Sequence, residues 1–152
     1  MSVLRQDTRQ SGAATAELSV MLPLLMLGLV GLADFGRAAM ETITIANAAH
    51  AGVKYGSHSP YHMTDTVGIH DAVIAELQDM TDTSNVVVAV EQYCNCPDGT
   101  EVDCEDGLCG LTEELRRTYV KVTVEKMFST VVNYPGVPDV LTLSREAHLR
   151  AR

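Results

Sequence analysis

Near its N-terminus the chain contains a long apolar segment with a single charged residue. Glu17 is followed by residues 18–33, which contain no Asp, Glu, Lys or Arg. About 20 apolar residues are needed to cross a bilayer, so the span must also include residues 13–16 and tolerate Glu17. A charge inside a membrane span costs about 2.5–3.5 kcal/mol, and such a residue usually has a function and a partner. The segment therefore predicts a membrane-spanning helix as the first element.

Gly12 stands five residues before this carboxylate, behind a short leader that contains Arg5 and Arg9. The arrangement resembles the processing site of type IV prepilins. The resemblance implies that a membrane-embedded prepilin peptidase removes residues 1–12 by cutting between Gly12 and Ala13. It also implies that Glu17, then the fifth residue, pairs with the new amine of Ala13 on a neighbouring subunit and sets the register of assembly.

Two other interpretations of the apolar segment remain open. It could be an uncleaved anchor, or a secretory signal peptide cut after Ala33. Glu17 stands where a signal peptide carries positive charge, and the helical pattern continues past Ala33, so both features argue against the signal peptide. Arg5 and Arg9 precede the span, which predicts a cytoplasmic N-terminus and an exported body.

The same helix is predicted to continue through residues 34–57, so that 13–57 forms one rod with a membrane-spanning first half and an amphipathic second half. Apolar residues at three- and four-residue steps predict its buried stripe, with Asp34 and Glu41 mostly off it. Pro23 lacks an amide hydrogen and should bend the helix. The stripe consists of Phe35, Ala38, Ala39, Ile43, Ala46, Ala49 and Val53.

Four short motifs in this helix together resemble the TadE-like family, the minor pilins (pseudopilins) of tight-adherence pili. They read AATAEL at 13–18, LPLL at 22–25, DFGR at 34–37 and ANAAHAGVKY at 46–55. The chain departs from the family pattern at Leu18, where Phe is common, and at His50 and Lys54, where Arg is common. The resemblance implies a place in the inner membrane or the pilus. Its implied partners are the prepilin peptidase, other pilin subunits and the inner-membrane assembly platform.

Residues 58–152 are predicted to form an exported α+β domain. A helix is expected over 65–80, capped by Thr64 or Asp65. Residues 85–93, 117–129 and 140–149 have the β-branched or alternating patterns of strands. Three or four antiparallel strands would pack as a small sheet on the outer half of the long helix.

All four cysteines fall in one insert, 94–109. In an exported domain an even, clustered set indicates disulfides, and four cysteines allow three pairings. A bond between Cys94 and Cys96 would be strained, and the nested set of Cys94–Cys109 with Cys96–Cys104 is favoured. A zinc site is the alternative, but the spacing lacks paired CxxC motifs.

The composition of the chain argues against some classes of function. The net charge of −9 without a Lys/Arg cluster, and the absence of Trp, argue against nucleic-acid binding. No catalytic or phosphate-binding motif is visible, so we expect neither an enzyme nor a cofactor or metal. The sequence predicts a minor pilin; a membrane-anchored adhesin that binds through the cystine insert is the alternative.

Overall fold

The computed structural model describes residues 10–78, 80, 82–105, 109, 116–134 and 136–151. Within these residues three helices precede a four-stranded sheet, which confirms the predicted α+β class. The elements are α1 (Gln10–Gly56), α2 (Pro60–Thr64), α3 (Thr66–Glu76), β1 (Val86–Asn95), β2 (Glu101–Val102), β3 (Arg117–Ser129) and β4 (Val140–Arg150).

Helix α1 has 47 residues and is about 70 Å long at 1.5 Å per residue. Pro23 lies inside it, and the helix continues through that residue; the bend there stays a prediction. The bond between Gly12 and Ala13 lies in the first turn, where the amide groups have no intrahelical partner and local opening is least costly. Residues 1–9 of the predicted leader, with Arg5 and Arg9, lie outside the described residues.

The segment after α1 contains a short helix that the sequence pattern does not indicate. Residues 56–62 have the composition of a linker, yet Ser59 caps a five-residue helix that has Pro60 in its first turn, a position that proline favours. Asp65 caps α3 by accepting a hydrogen bond from the Gly68 amide at 2.9 Å, as predicted. Helix α3 ends at Glu76, before the predicted boundary at residue 80.

The sheet has the strand order β2-β1-β3-β4, with antiparallel pairing throughout. Strand β3 has the bounds predicted from its alternating pattern, and its Val120, Val122 and Val124 are fully buried. These three valines lie on one face because side chains alternate along a strand. That face packs against the outer half of α1, as predicted.

One hydrophobic core joins α1, α3, β3 and β4. Small residues of α1 let the other elements approach closely: a Cβ on Gly52 would lie 2.7 Å from Val73 Cγ2. The fully or almost fully buried core residues are Ile45, Ala48, Ala49, Val53, Ile69, Val73, Leu77, Val120, Val122, Val124 and Ala147.

The buried stripe of α1 differs from the predicted one. Ala49 and Val53 lie in the core, but Phe35 and Ile43 are 74% and 57% exposed. Asp34, which was placed off the stripe, is buried, and Glu41 is partly buried. The prediction was wrong here because it used hydrophobicity alone, whereas carboxylates can be buried when partners bind them.

The structure pairs Cys94 with Cys104 and Cys96 with Cys109, at Cα–Cα distances of 5.2 and 5.4 Å. The disulfides are confirmed, but the nested pairing of Cys94–Cys109 with Cys96–Cys104 is wrong. The hairpin between β1 and β2 explains the difference: the Cys96 amide donates to the Thr100 carbonyl at 2.8 Å, so the chain reverses there. Val102 on β2 pairs with Cys94, so Cys104, two residues later, follows the residue that faces Cys94 and not Cys96.

Candidate functional site: the exposed helix and its attachment to the sheet

The N-terminal half of α1 projects from the domain as an exposed apolar rod. Residues 14–29 are all exposed, and side chains such as Leu24 and Leu25 keep more than half of their surface accessible. Among the described residues, one helix is long and apolar enough to cross a membrane, and it contains this segment. Such an apolar surface calls for lipid or another protein to cover it.

Glu17 lies on this exposed rod, in the turn after Ala13. Residues four apart are neighbours on a helix surface, so an amine at Ala13 and the Glu17 carboxylate would lie on one side of the same helix. The carboxylate is accessible to a second chain. The geometry permits the predicted pairing.

Asp34, the first acidic residue after the apolar segment, attaches the sheet to α1. Its Oδ1 and Oδ2 accept hydrogen bonds from the Val131 amide at 3.1 and 3.0 Å, and Oδ2 accepts one from the Tyr134 hydroxyl at 3.2 Å. Arg37 donates to Oδ1 at 3.3 Å. The carboxylate therefore fixes the loop between β3 and β4 to the helix from a position almost 100 residues earlier in the chain.

Arg37 joins this cluster to the end of β3. Its guanidinium lies 5.4 Å from the centre of the Phe128 ring, a geometry in which the cation is attracted to the face of the ring. The acidic and basic residues of the DFGR motif thus serve as structural contacts in this chain.

A second polar contact lies two turns further along α1. Lys126 Nζ is 2.9 Å from Glu41 Oε2, and the two side chains are 6% and 23% exposed. The lysine continues the alternating buried face of β3, where an apolar residue would normally stand. A charge at such a position is stable only when it is paired.

The third contact lies near the end of α1. The Tyr55 hydroxyl donates to Asp65 Oδ2 at 2.8 Å. Two hydrogen bonds lower the pKa of the Asp65 carboxyl from its ordinary value: the larger effect comes from the Gly68 amide and the smaller from the Tyr55 hydroxyl. The hydrogen bond from the Tyr55 hydroxyl also raises the pKa of Tyr55. The contact links the last turn of α1 to the start of α3.

The β3–β4 loop, described at residues 130–134 and 136–139, also reaches back along the apolar rod. The Tyr134 hydroxyl lies 3.7 Å from the position of a Cβ on Gly31. Tyr134 and Val132 form an open cavity with four residues of the helix, Pro23, Met26, Leu27 and Val30. The loop therefore lies beside the segment predicted to span the membrane.

The opposite face of α1 is exposed along most of its length. Leu25, Leu32, Phe35 and Ile43 lie on it, because steps of seven, three and eight residues return to one side of a 3.6-residue helix. The sheet and loop cover only the other face. An uncovered apolar face that continues from the rod past the domain is suited to packing against another helix.

The cystine insert lies at the end of β1 opposite the Glu41–Lys126 pair, because Lys126 faces Val86 at the start of that strand. Its two disulfides brace the β1–β2 hairpin. Across the part of the chain that the structure describes, no group of three His, Cys, Asp or Glu side chains is arranged to hold a metal ion.

Comparison with known families gives a match in the N-terminal helix. The family model described as "TadE-like protein" matches residues 12–54, which confirms the family resemblance over this segment. The comparisons with curated proteins and with solved structures find no match.

The matched segment includes the helix residues of the first two contacts described above. Asp34, Glu41 and Gly52 lie in the matched segment, whereas Lys126 and Tyr134, which bind the two carboxylates, lie outside it. Sequence reasoning missed the roles of Asp34 and Glu41. The seven-residue step between them, which places both on one helix face, was the signal that could have found them.

Proposed function

We propose that this chain, TadE-like in its N-terminal helix, is a minor pilin of a tight-adherence pilus, a structural rather than an enzymatic component. The observation that carries the proposal is the TadE-like match across a helix whose first half is an exposed apolar rod. The second half of that helix is the platform for the sheet. One helix thus combines a membrane anchor with the mounting of an exported domain.

In this proposal the chain is first inserted in the inner membrane with its N-terminus in the cytoplasm. The two arginines ahead of the span favour that orientation. The prepilin peptidase then cuts between Gly12 and Ala13. Its access is aided because the bond lies in the first turn of α1, where helix ends open most readily.

Assembly uses the freed amine of Ala13 and the carboxylate of Glu17. Each charge alone is costly in a bilayer, and a pair between neighbouring subunits lowers that cost for both. Such a pair forms at one axial offset between helices, so it sets the register. The uncovered apolar face of α1 supplies the packing surface for the neighbouring subunit or the assembly platform.

The experiment that tests processing is mass spectrometry of the N-terminus of the protein made by cells with working pilus machinery. We expect the mature chain to begin at Ala13, and the Gly12→Ala variant to keep its leader. Gly28→Ala is the matched control, because it is the same change in the same helix and a Cβ there meets no described atom within 4 Å. Native protein that begins at Asp34, or that retains residues 1–12, would refute the proposal.

The role of Glu17 is tested separately by Glu17→Leu. We expect this variant to insert and to be processed, but to fail in pilus assembly, measured as sheared surface pili and as recovery of the subunit with them. Glu76→Leu is the control, since Glu76 is an exposed carboxylate on α3 outside the rod. Normal assembly of the Glu17 variant would disprove the register function and leave processing unaffected.

A further inference from the structure

The loop between β3 and β4 has a composition unlike that of the rest of the exported domain. Residues 130–138 read TVVNYPGVP and contain no charged residue, in a chain in which 20% of the residues are charged. Val131, Val132 and Val137 are 68%, 38% and 42% exposed. Exposed valines at the tip of a loop have no role in the core of the domain.

The loop lies beside the apolar half of α1. Tyr134 lies beside Gly31, three residues or about 5 Å toward the N-terminus from Asp34. The cavity that the loop forms with the helix extends to Pro23, about 16 Å from Asp34 along the axis. Half of a hydrocarbon core is about 15 Å thick. If Asp34 lies at the outer surface of the bilayer, the loop lies alongside the outer half of the span.

Three hydrogen-bond donors of the loop have partners within the molecule. The Val131 amide and the Tyr134 hydroxyl donate to the Asp34 carboxylate, and the Val137 amide donates to the Tyr134 carbonyl at 3.1 Å. Pro138 has no amide hydrogen to satisfy. Backbone groups that enter lipid must be paired internally, and tyrosine is enriched at membrane interfaces.

We propose that the β3–β4 loop is a second membrane contact, inserted into the outer leaflet of the bilayer beside the span. This inference rests on the proposed membrane placement of α1. The ligand is the lipid acyl and headgroup boundary, which the three exposed valines enter while Asp34 and Arg37 remain at the headgroups. The contact fixes the height and rotation of the exported domain above the membrane, because the domain then has two points of attachment on one side.

The test uses single-tryptophan variants of the full chain in phosphatidylcholine vesicles, because the chain contains no Trp. Val131→Trp reports on the loop and Leu25→Trp on the span; Val87→Trp is the control, on an exposed position of β1. Acyl chains brominated at defined depths quench a nearby indole. We expect Val131→Trp to show a blue-shifted emission and quenching by shallow bromines, Leu25→Trp to be quenched most by deeper bromines, and Val87→Trp to be unaffected.

The outcomes separate this inference from the proposed function. If Leu25→Trp is quenched and Val131→Trp behaves like Val87→Trp, the span is real and the loop inference is wrong. A blue shift of Val131→Trp without quenching would mean that protein rather than lipid covers the loop, and would also overturn it. If Leu25→Trp is not quenched, the membrane placement fails and the loop inference fails with it.

Discussion

The buried ion pair between Glu41 and Lys126 allows a quantitative test of how the sheet is held on α1. Lys126 is 6% exposed and its ammonium lies 2.9 Å from the glutamate, which is 23% exposed. The informative changes are Glu41→Leu, Lys126→Met and the double variant. Leu and Met approximate the volumes of the side chains that they replace.

Because Lys126 is more deeply buried than Glu41, we expect the two single variants of this double-mutant cycle to lose different amounts of stability. Glu41→Leu leaves a buried ammonium without a partner, a situation that costs about 3–5 kcal/mol. Lys126→Met leaves a carboxylate that can turn toward water, so we expect a smaller loss of about 1–2 kcal/mol. The double variant leaves no charge and should lie within about 1 kcal/mol of the parent, since apolar replacements of buried pairs are often neutral.

The assay is urea unfolding of the full chain in a non-ionic detergent with the disulfides intact, followed by tyrosine fluorescence. The midpoint and slope give the free energy of unfolding of each variant. A double variant whose loss equals the sum of the two single losses would show that the residues are not coupled. That result, or a Glu41→Leu variant as stable as the parent, would refute the reasoning.

Three further predictions concern α1 and its attachment. Gly52→Ala should destabilise the domain by about 1–3 kcal/mol through overpacking, whereas Gly36→Ala, which meets no described atom within 4 Å, should be neutral or stabilising by up to about 1 kcal/mol; urea unfolding compares them. Asp34→Asn should accelerate hydrogen exchange of the amides in the β3–β4 loop, measured by mass spectrometry, with β1 amides as the internal control. The hydrogen bond from the Gly68 amide lowers the pKa of Asp65 in the folded protein. The ionised carboxylate should therefore stabilise the fold above pH 3.8, the ordinary pKa, and this stabilisation should be lost as the pH falls through the lower folded pKa. In Asp65→Asn this part of the pH dependence of the free energy of unfolding should be absent.

The strands and the long helix could be predicted because their signals are local. Strand β3 alternates β-branched and polar residues over its whole length, and the observed bounds agree with the prediction. Helix α1 is long, rich in Ala and Leu, and continues through Pro23. Patterns of this kind depend on the period of side-chain burial, which can be read directly from the chain.

The contacts of the site could not be predicted because they join distant residues. Asp34 is buried by a loop about 100 positions later, and Glu41 by a lysine on β3. A prediction based on hydrophobicity alone places charged residues of this kind outside the buried face. The disulfide pairing failed for a related reason, because it depends on where the β1–β2 hairpin reverses, and nothing in the spacing of Cys96 and Cys104 defines that register.

The attachment of the sheet along the side of α1 determines how the molecule bears load. The Asp34 hydrogen bonds and the Glu41–Lys126 pair attach the sheet and its loop to one side of the helix, and the Tyr55–Asp65 hydrogen bond attaches α3 near the end of that helix. A pull directed along the helix axis strains all three together in shear, instead of peeling them open one after another. Tension that enters through the apolar end is therefore distributed across the C-terminal domain.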